Sequence, residues 1–382
     1  MPVSRRSFIR VLGAGGAGLA SASVVSARGS EAWWAAGSQA PVPGTPDVVR
    51  LDSNENPAGP GLRALDAMRE GFPESSRYPD READALSEAL AAVHGVPADH
   101  VLATCGSGEV LRMVVEAFAS PSRALVSALP TFEICTRTAT FLNYALQEVP
   151  VDASLRLDLG TMAARAADGA GIVFLCNPNN PTGTVHGSGR VADFVRAVVK
   201  ASPDTVILVD EAYHEYVEDP EYATAIPLAL EHPQVLVCRT FSKVHGLAGM
   251  RVGYAVGQPG TLKRLAGWRL GNGLNMLGIR AAIAALGDRG HVERGRLANR
   301  EGREVLRRFF RDRGFRVSES HTNFVFADIR QDSGAFQKAC RAQGIAVGRP
   351  FPPLTTWTRV TVGTPEEIRR ATDVFARVLA AA

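Results

Sequence analysis

The 382-residue sequence has little cysteine. Its five cysteines, Cys105, Cys135, Cys176, Cys238 and Cys340, are widely spaced and form no C-x-x-C pair. That spacing excludes a disulfide framework and a thiolate zinc site, and no metal is expected. Four of the five lie in or beside apolar runs and read as core packing. An excess of charge is also missing: 42 Lys and Arg oppose 39 Asp and Glu, a net +3. This balance gives no reason to expect a nucleic-acid partner. The apolar stretch Val11 to Val25 is too short and too rich in small residues for a stable membrane span. What remains is a globular composition, 46% hydrophobic and 21% charged, at a length that suits two or three lobes.

The first residues read as an address. Ser4-Arg5-Arg6-Ser7-Phe8-Ile9-Arg10 carries the paired arginines, aromatic and basic residue of a twin-arginine signal, and Val25-Ser26-Ala27 offers a small-x-small cleavage site. The alternative is a chance Arg-Arg before an apolar stretch. The expectation is an exported or periplasmic protein, its signal cleaved or kept as an anchor. Residues 1–45 are then signal and linker, the linker including Trp33-Trp34.

The rest of the chain is organised around Arg239-Thr240-Phe241-Ser242-Lys243, followed by Arg251. The run Val235-Leu236-Val237-Cys238 leads into it and reads as a buried strand. A lysine at the end of a core strand is expensive to desolvate, which makes sense if its amine is used. The plain alternative is a surface lysine in a strand–helix loop. Five further apolar strands are expected at 101–104, 124–127, 172–176, 206–209 and 252–256. Helices are expected at 62–70, 82–93, 110–119 and near 189–200. Continuous apolar strands alternating with helices imply an α/β fold, a largely parallel sheet covered on both faces. Past Gly278 the pattern changes. Helices at 279–287, 291–313, 333–342 and 365–380 interleave with strands at 315–318, 322–326, 345–347 and 358–362, a smaller α+β lobe. The arginines between Arg289 and Arg313 read as a solvated helix face.

Polar residues gather just past the strand ends, where an α/β sheet binds ligands. Pyridoxal phosphate (PLP) carries an aldehyde and a phosphate, and the strand ends offer a partner for each of its groups. The Lys243 amine can condense with the aldehyde. Asp210 can keep the ring nitrogen protonated. Tyr213 and Asn180 can donate to the phenolate oxygen, and Phe132 can lie against the ring face. Thr240, Ser242, Arg251 and the main-chain N–H groups of Ser107, Gly108 and Glu109 can hold the phosphate. Each residue also has a plainer role open to it: Asp210 a helix cap, Tyr213 packing, Asn180 its Asn-Pro turn, Phe132 the core.

Asn180-Pro181-Thr182-Gly183, Asp210-Glu211-Ala212-Tyr213 and Ser242-Lys243 with Arg251 resemble the class I/II (fold type I) aminotransferases, over roughly residues 46–380. Within them the chain is most similar to the histidinol-phosphate aminotransferases, through Asn54-Glu55-Asn56-Pro57, Tyr78-Pro79-Asp80, the Cys176 to Gly183 run and Thr322-Asn323-Phe324. The resemblance implies a fold type I PLP-transferase. Its segments would be 46–75 joining the small domain, 76–280 the large PLP-binding domain and 281–382 the small C-terminal domain. It implies Lys243 as the cofactor lysine and Asp210 as the ring-nitrogen partner. It also implies a homodimer in which Tyr78 reaches the cofactor phosphate of a second subunit. Arg359 would bind the substrate carboxylate or its equivalent, Arg349 would help to grip a substrate phosphate, and Asn54 would belong to the substrate site. Departures are visible: Phe132 replaces the usual tyrosine, Arg349 is displaced by one position, and Gly271-Asn272-Gly273-Leu274-Asn275-Met276 lacks the usual Pro-aromatic-Asn pattern.

The implied reaction moves an amino group between a donor, an amino acid or a histidinol-phosphate-like amine, and a 2-oxo acid such as 2-oxoglutarate. The same lysine, aspartate and phosphate grip also suit a decarboxylase, a lyase or an amino-acid oxidase. A PLP-binding regulator without turnover is a further alternative, although no helix-turn-helix or basic tail accompanies the site.

Overall fold

Apolar runs bounded by turn residues become buried strands, and they assemble into one seven-stranded sheet in the computed structural model. The structure describes residues 48–380, all within one compact unit. The twin-arginine signal, its apolar stretch and Trp33-Trp34 lie outside the described residues.

The first strand, β1 (Val49–Leu51), stands apart from the large sheet. That sheet comprises β2 (Val101–Thr104), β3 (Leu125–Leu129), β4 (Leu146–Pro150), β5 (Ile172–Cys176), β6 (Val206–Asp210), β7 (Val235–Thr240) and β8 (Gly253–Gly257). Their order is β2-β8-β7-β6-β5-β3-β4. β8 runs antiparallel to both of its neighbours, and every other pairing is parallel. Successive side chains point to opposite faces of a strand, so one strand feeds two cores. Val173 and Leu175 pack with Ile207, Val209, Val235 and Val237 on one face, against Val191, Phe194, Val195 and Val198 of the helix Ser188–Ala201. Phe174 and Cys176 pack with Leu208, Leu236 and Cys238 on the other, against the helix Ser107–Phe118. Each such large side chain, buried, contributes about 1.5–3 kcal/mol relative to leaving it in water.

A second sheet has the order β12-β10-β9, from β9 (Arg316–Val317), β10 (Phe324–Asp328) and β12 (Trp357–Thr361), all antiparallel. β1 pairs in parallel with β11 (Ile345–Val347). A third core, with Leu306, Phe310, Phe336 and Phe375, gathers these strands with the helices Arg289–Arg311, Ser333–Ala342 and Pro365–Ala380. The segment 46–75 is shared between cores. β1 belongs to the third, whereas Ala64 of the helix Leu62–Gly71 packs with Ile279, Ala281 and Ala282 of the helix Met276–Leu286 in the first.

Two strands escape the sequence reading. β4 buries one of its five residues fully, sits at the sheet edge and ends in Pro150, so it has no apolar run to betray it. β1 is three residues long. One expected boundary moves with consequence: the helix expected from Val110 starts at Ser107, directly after Gly106. All five cysteines are free, and Cys135, Cys176, Cys238 and Cys340 are buried. Among the described residues no helix is long and apolar enough to cross a membrane, and no cluster of His, Cys, Asp and Glu could hold a metal.

Candidate active site

β6 carries Asp210 at its C-terminal end, buried, with its Oδ1 accepting the Ala212 N–H at 3.1 Å. Among the described residues it has no ion pair. Burial, the largest influence, pushes its carboxyl up to about 6, and the nearby Lys243 amine pulls the other way. A carboxyl held this high in an apolar setting is prepared for a cationic or protonated partner.

β7 ends at Thr240, whose Oγ1 bonds the Ser242 hydroxyl at 2.8 Å and accepts the Ser242 N–H at 3.1 Å. Arg251 Nη1 donates to Ser242 Oγ at 3.3 Å and to the Ala248 carbonyl at 2.9 Å. Arg251 adopts φ 55, a left-handed backbone that turns the chain back into β8. Gly106, at φ +74, lies so close that an added Cβ would sit 2.4 Å from Arg251 Nη2. An added Cβ on Gly253 would sit 2.3 Å from Ser107 N. The N-terminus of the helix Ser107–Phe118, two hydroxyls and one guanidinium thus form one cradle, a ready anion site. Gly108 is in that first turn. The amide of Glu109 is already spent: it donates to the Gly106 carbonyl at 3.2 Å. The Glu109 carboxylate accepts from Cys105 N at 2.6 Å and Leu270 N at 3.1 Å, fastening the turn instead. The available signal was a Glu three residues after Gly106, the residue preceding the helix, a place from which a carboxylate can reach back to amides ahead of the helix.

Lys243 reaches back to the N-terminal segment. Its Nζ donates to the Asn54 carbonyl at 3.2 Å and lies 5.5 Å from the centroid of the Tyr213 ring. Burial first, then the Arg359 guanidinium, lowers the amine to about 8. Asn54 Nδ2 donates to the Tyr213 hydroxyl at 3.0 Å, and burial raises that phenol. Asn54 is pinned in turn by Thr361, which accepts its N–H at 2.9 Å and donates to its Oδ1 at 3.0 Å.

Arg359, on β12, donates to Asn180 Oδ1 at 2.7 Å and to the Asp52 carbonyl at 2.6 Å. Its Nε is buried with no partner among the described residues. Burial lowers the guanidinium to about 10. Phe132 is half-buried and packs against the apolar layer that includes Leu111 and Cys135. Lys243, Asp210, Tyr213, Asn180, Asn54 and Arg359 are therefore brought together, with the cradle of Ser107, Thr240, Ser242 and Arg251 set beneath the same strand ends. Tyr78 is not brought to this cluster. It is 76% exposed and lines a surface groove of about 360 Å³ with Arg77, Asn272 and Leu277. Arg349 is paired to Glu133, and its guanidinium shares the Phe351 ring with that of Arg359.

Arg239 and Glu211 stand in the quoted motifs with no role of their own, yet they form a buried fork below the site. Glu211 Oε2 accepts from Arg239 Nε at 3.0 Å and Nη2 at 2.8 Å and from the Thr224 hydroxyl at 2.8 Å. Glu211 Oε1 accepts the Ala225 N–H at 2.6 Å. The available signal was an arginine inside an otherwise apolar strand, which needs a buried partner.

A buried acid, a depressed amine and an anion cradle that a single Cβ would fill meet the needs of one cofactor. The fold and this donor set define a fold type I, PLP-dependent enzyme. Comparison narrows the class. Residues 46–375 match the family described as aminotransferase class I and II. A histidinol-phosphate aminotransferase of Symbiobacterium thermophilum is 39% identical, over 88% of this chain and 92% of that protein. Another, from Moorella thermoacetica, is 37% identical over 88% and 86%. The crystal structure of the Sinorhizobium meliloti histidinol-phosphate aminotransferase in complex with pyridoxal-5'-phosphate superposes with a TM-score of 0.81, at 29% identity, covering 87% of this chain and 91% of that one. The chain belongs to the class I and II aminotransferase family. It is a PLP-dependent aminotransferase.

Proposed function

We propose that this aminotransferase takes its amino group from an amino acid or a histidinol-phosphate-like amine and passes it to a 2-oxo acid such as 2-oxoglutarate. The observation that carries this reading is the convergence of the Lys243 amine and the Arg359 guanidinium on one loop, Asp52 to Asn54. An amine that moves protons thereby faces a cation able to hold an anionic substrate. When bound, PLP would supply an aldehyde and an electron-withdrawing ring. Asp210 would keep a proton on the ring nitrogen. Tyr213 and Asn180 would donate to the ring oxygen, and Phe132 would lie against the ring face. The phosphate would rest on Ser107, Gly108, Thr240, Ser242 and Arg251. With its amine free, Lys243 would take the proton from the substrate α-carbon and return it two atoms away, beyond the amino nitrogen. Arg359 would orient the substrate through its carboxylate or phosphate, and Asn54 would hold Lys243 and Tyr213 in line.

Tyr78 of the partner subunit would complete the phosphate grip in a homodimer, consistent with its exposure on its own chain. The domain division at residues 75 and 280 and a twin-arginine export signal belong to the same reading. The first test is to reduce the PLP-loaded protein with borohydride, map the labelled peptide, and assay a panel of amino donors with and without an added 2-oxo acid. The expected result is label on Lys243 and product that depends on the acceptor. Product without acceptor dependence would reassign the reaction to a lyase or decarboxylase. A monomeric sedimentation mass would remove the shared site, and a cytoplasmic location would remove the export signal.

A further inference from the structure

Glu133 occupies the position before the helix Ile134–Phe141, where a short Ser, Thr, Asp or Asn side chain ordinarily caps the free amides of the helix. It makes no such bond. Its side chain pairs instead with Arg349, which follows β11, and with Arg137 at 3.0 Å. Arg349 is not an isolated surface cation. Its guanidinium lies 4.3 Å from the centroid of the Phe351 ring, and that of Arg359 lies 5.0 Å from the same centroid. One aromatic ring is therefore shared by two guanidiniums. Arg349 depresses the Arg359 guanidinium and Glu133 supports it, so the three charges sense each other. Among the described residues Arg359 pairs with no carboxylate and its buried Nε has no partner, whereas Arg349 already holds an anion.

We infer that Glu133 determines specificity at the distal end of the substrate: its carboxylate is the resident counter-ion of Arg349. This rests on the reading of Arg359 as the grip for the first anion. A substrate whose second charged group is a carboxylate or phosphate gains Arg349 only by displacing Glu133, and it then meets that carboxylate as a like charge. A substrate with an uncharged distal end meets no such competition. The site thus discriminates by a built-in repulsive element as well as by attraction. Glu133 and Arg349 are 24% and 43% exposed at their side chains, so the effect is screened by solvent.

The test uses the PLP-loaded enzyme and two acids that do not react, glutarate and butyrate, with dissociation constants measured by titration calorimetry for wild type, Glu133→Gln and Arg349→Met. In Glu133→Gln the preference for glutarate over butyrate should rise by roughly three- to fivefold, the scale of a partly exposed ion pair. In Arg349→Met it should fall. Glu133→Ala should move the ratio in the same direction as Glu133→Gln, which separates charge from shape. An unchanged or lowered ratio in Glu133→Gln overturns the inference. Binding of neither acid by the wild type overturns the Arg359 reading with it, whereas binding of both at an unaltered ratio overturns this one alone.

Discussion

Lys243 Nζ donates to the backbone carbonyl of Asn54 at 3.2 Å, a contact that spans 189 residues of sequence. The same asparagine holds the Tyr213 hydroxyl through its side-chain amide. It does both from φ 55, a left-handed conformation that asparagine tolerates better than most residues. One residue near the start of the described chain therefore sets both the amine and the phenol of the site, and Thr361 and Asn323 hold that residue in place.

Lys243→Met is expected to abolish turnover and stabilise the cofactor-free protein. The folded amine titrates near 8, below its ordinary 10.5. Between those values the unfolded chain binds more protons, so stability of the cofactor-free wild type rises as pH climbs from about 8 toward 10.5. At pH 7 the ammonium is retained at a cost on the order of 1–3 kcal/mol. Methionine keeps the bulk and removes the charge. Differential scanning calorimetry at pH 7 should record a higher melting temperature for the variant, and a lower one would contradict the account of a penalised amine.

Asp210→Asn tests the opposite sign. The folded carboxyl titrates near 6, above its ordinary 3.8. Here the native state binds more protons between those values, so the cofactor-free wild type loses stability as pH rises from about 4 to about 6. The asparagine variant should lack that slope in melts taken across the window. Its turnover should fall by on the order of a hundredfold or more, the scale of one proton-holding group. Wild-type-like kinetics would remove Asp210 from the reaction.

Arg239→Met addresses the fork beneath the site. Removing one partner of a buried pair strands the other, so urea unfolding should report a loss of about 3–5 kcal/mol. Arg239→Met combined with Glu211→Gln should recover part of it, because no lone carboxylate remains. A double variant as unstable as the sum of the two single ones would argue that the two side chains act independently.

The legible parts of this protein were those with strong local signals. Asp210 ends an apolar strand, Asn180 and Lys243 follow within a turn of β5 and β7, and a polar residue at such a point is conspicuous. β5, β6 and β7 were readable because both of their faces are buried. β4 was not, because an edge strand shows half a pattern. From sequence Glu109 belongs to the cradle through its amide, whereas the fold uses its carboxylate to tie down Cys105 and Leu270. The Glu211–Arg239 fork depends on two strands lying side by side, a relationship no linear spacing announces. The Glu133–Arg349 pair joins positions 216 residues apart, and only the fold brings them face to face.

The closing of Asn54 by Thr361 has a consequence in time. These residues are 307 positions apart, and the later one lies on β12, the last strand among the described residues. A chain still growing on the ribosome already carries Asp210, Asn180 and Lys243 on their strands. It has not yet made Arg359 or Thr361, and Asn54 is still without its anchor. The acid and the amine of the site are therefore made before the guanidinium that stands beside them, and the site is assembled only once β12 has joined it.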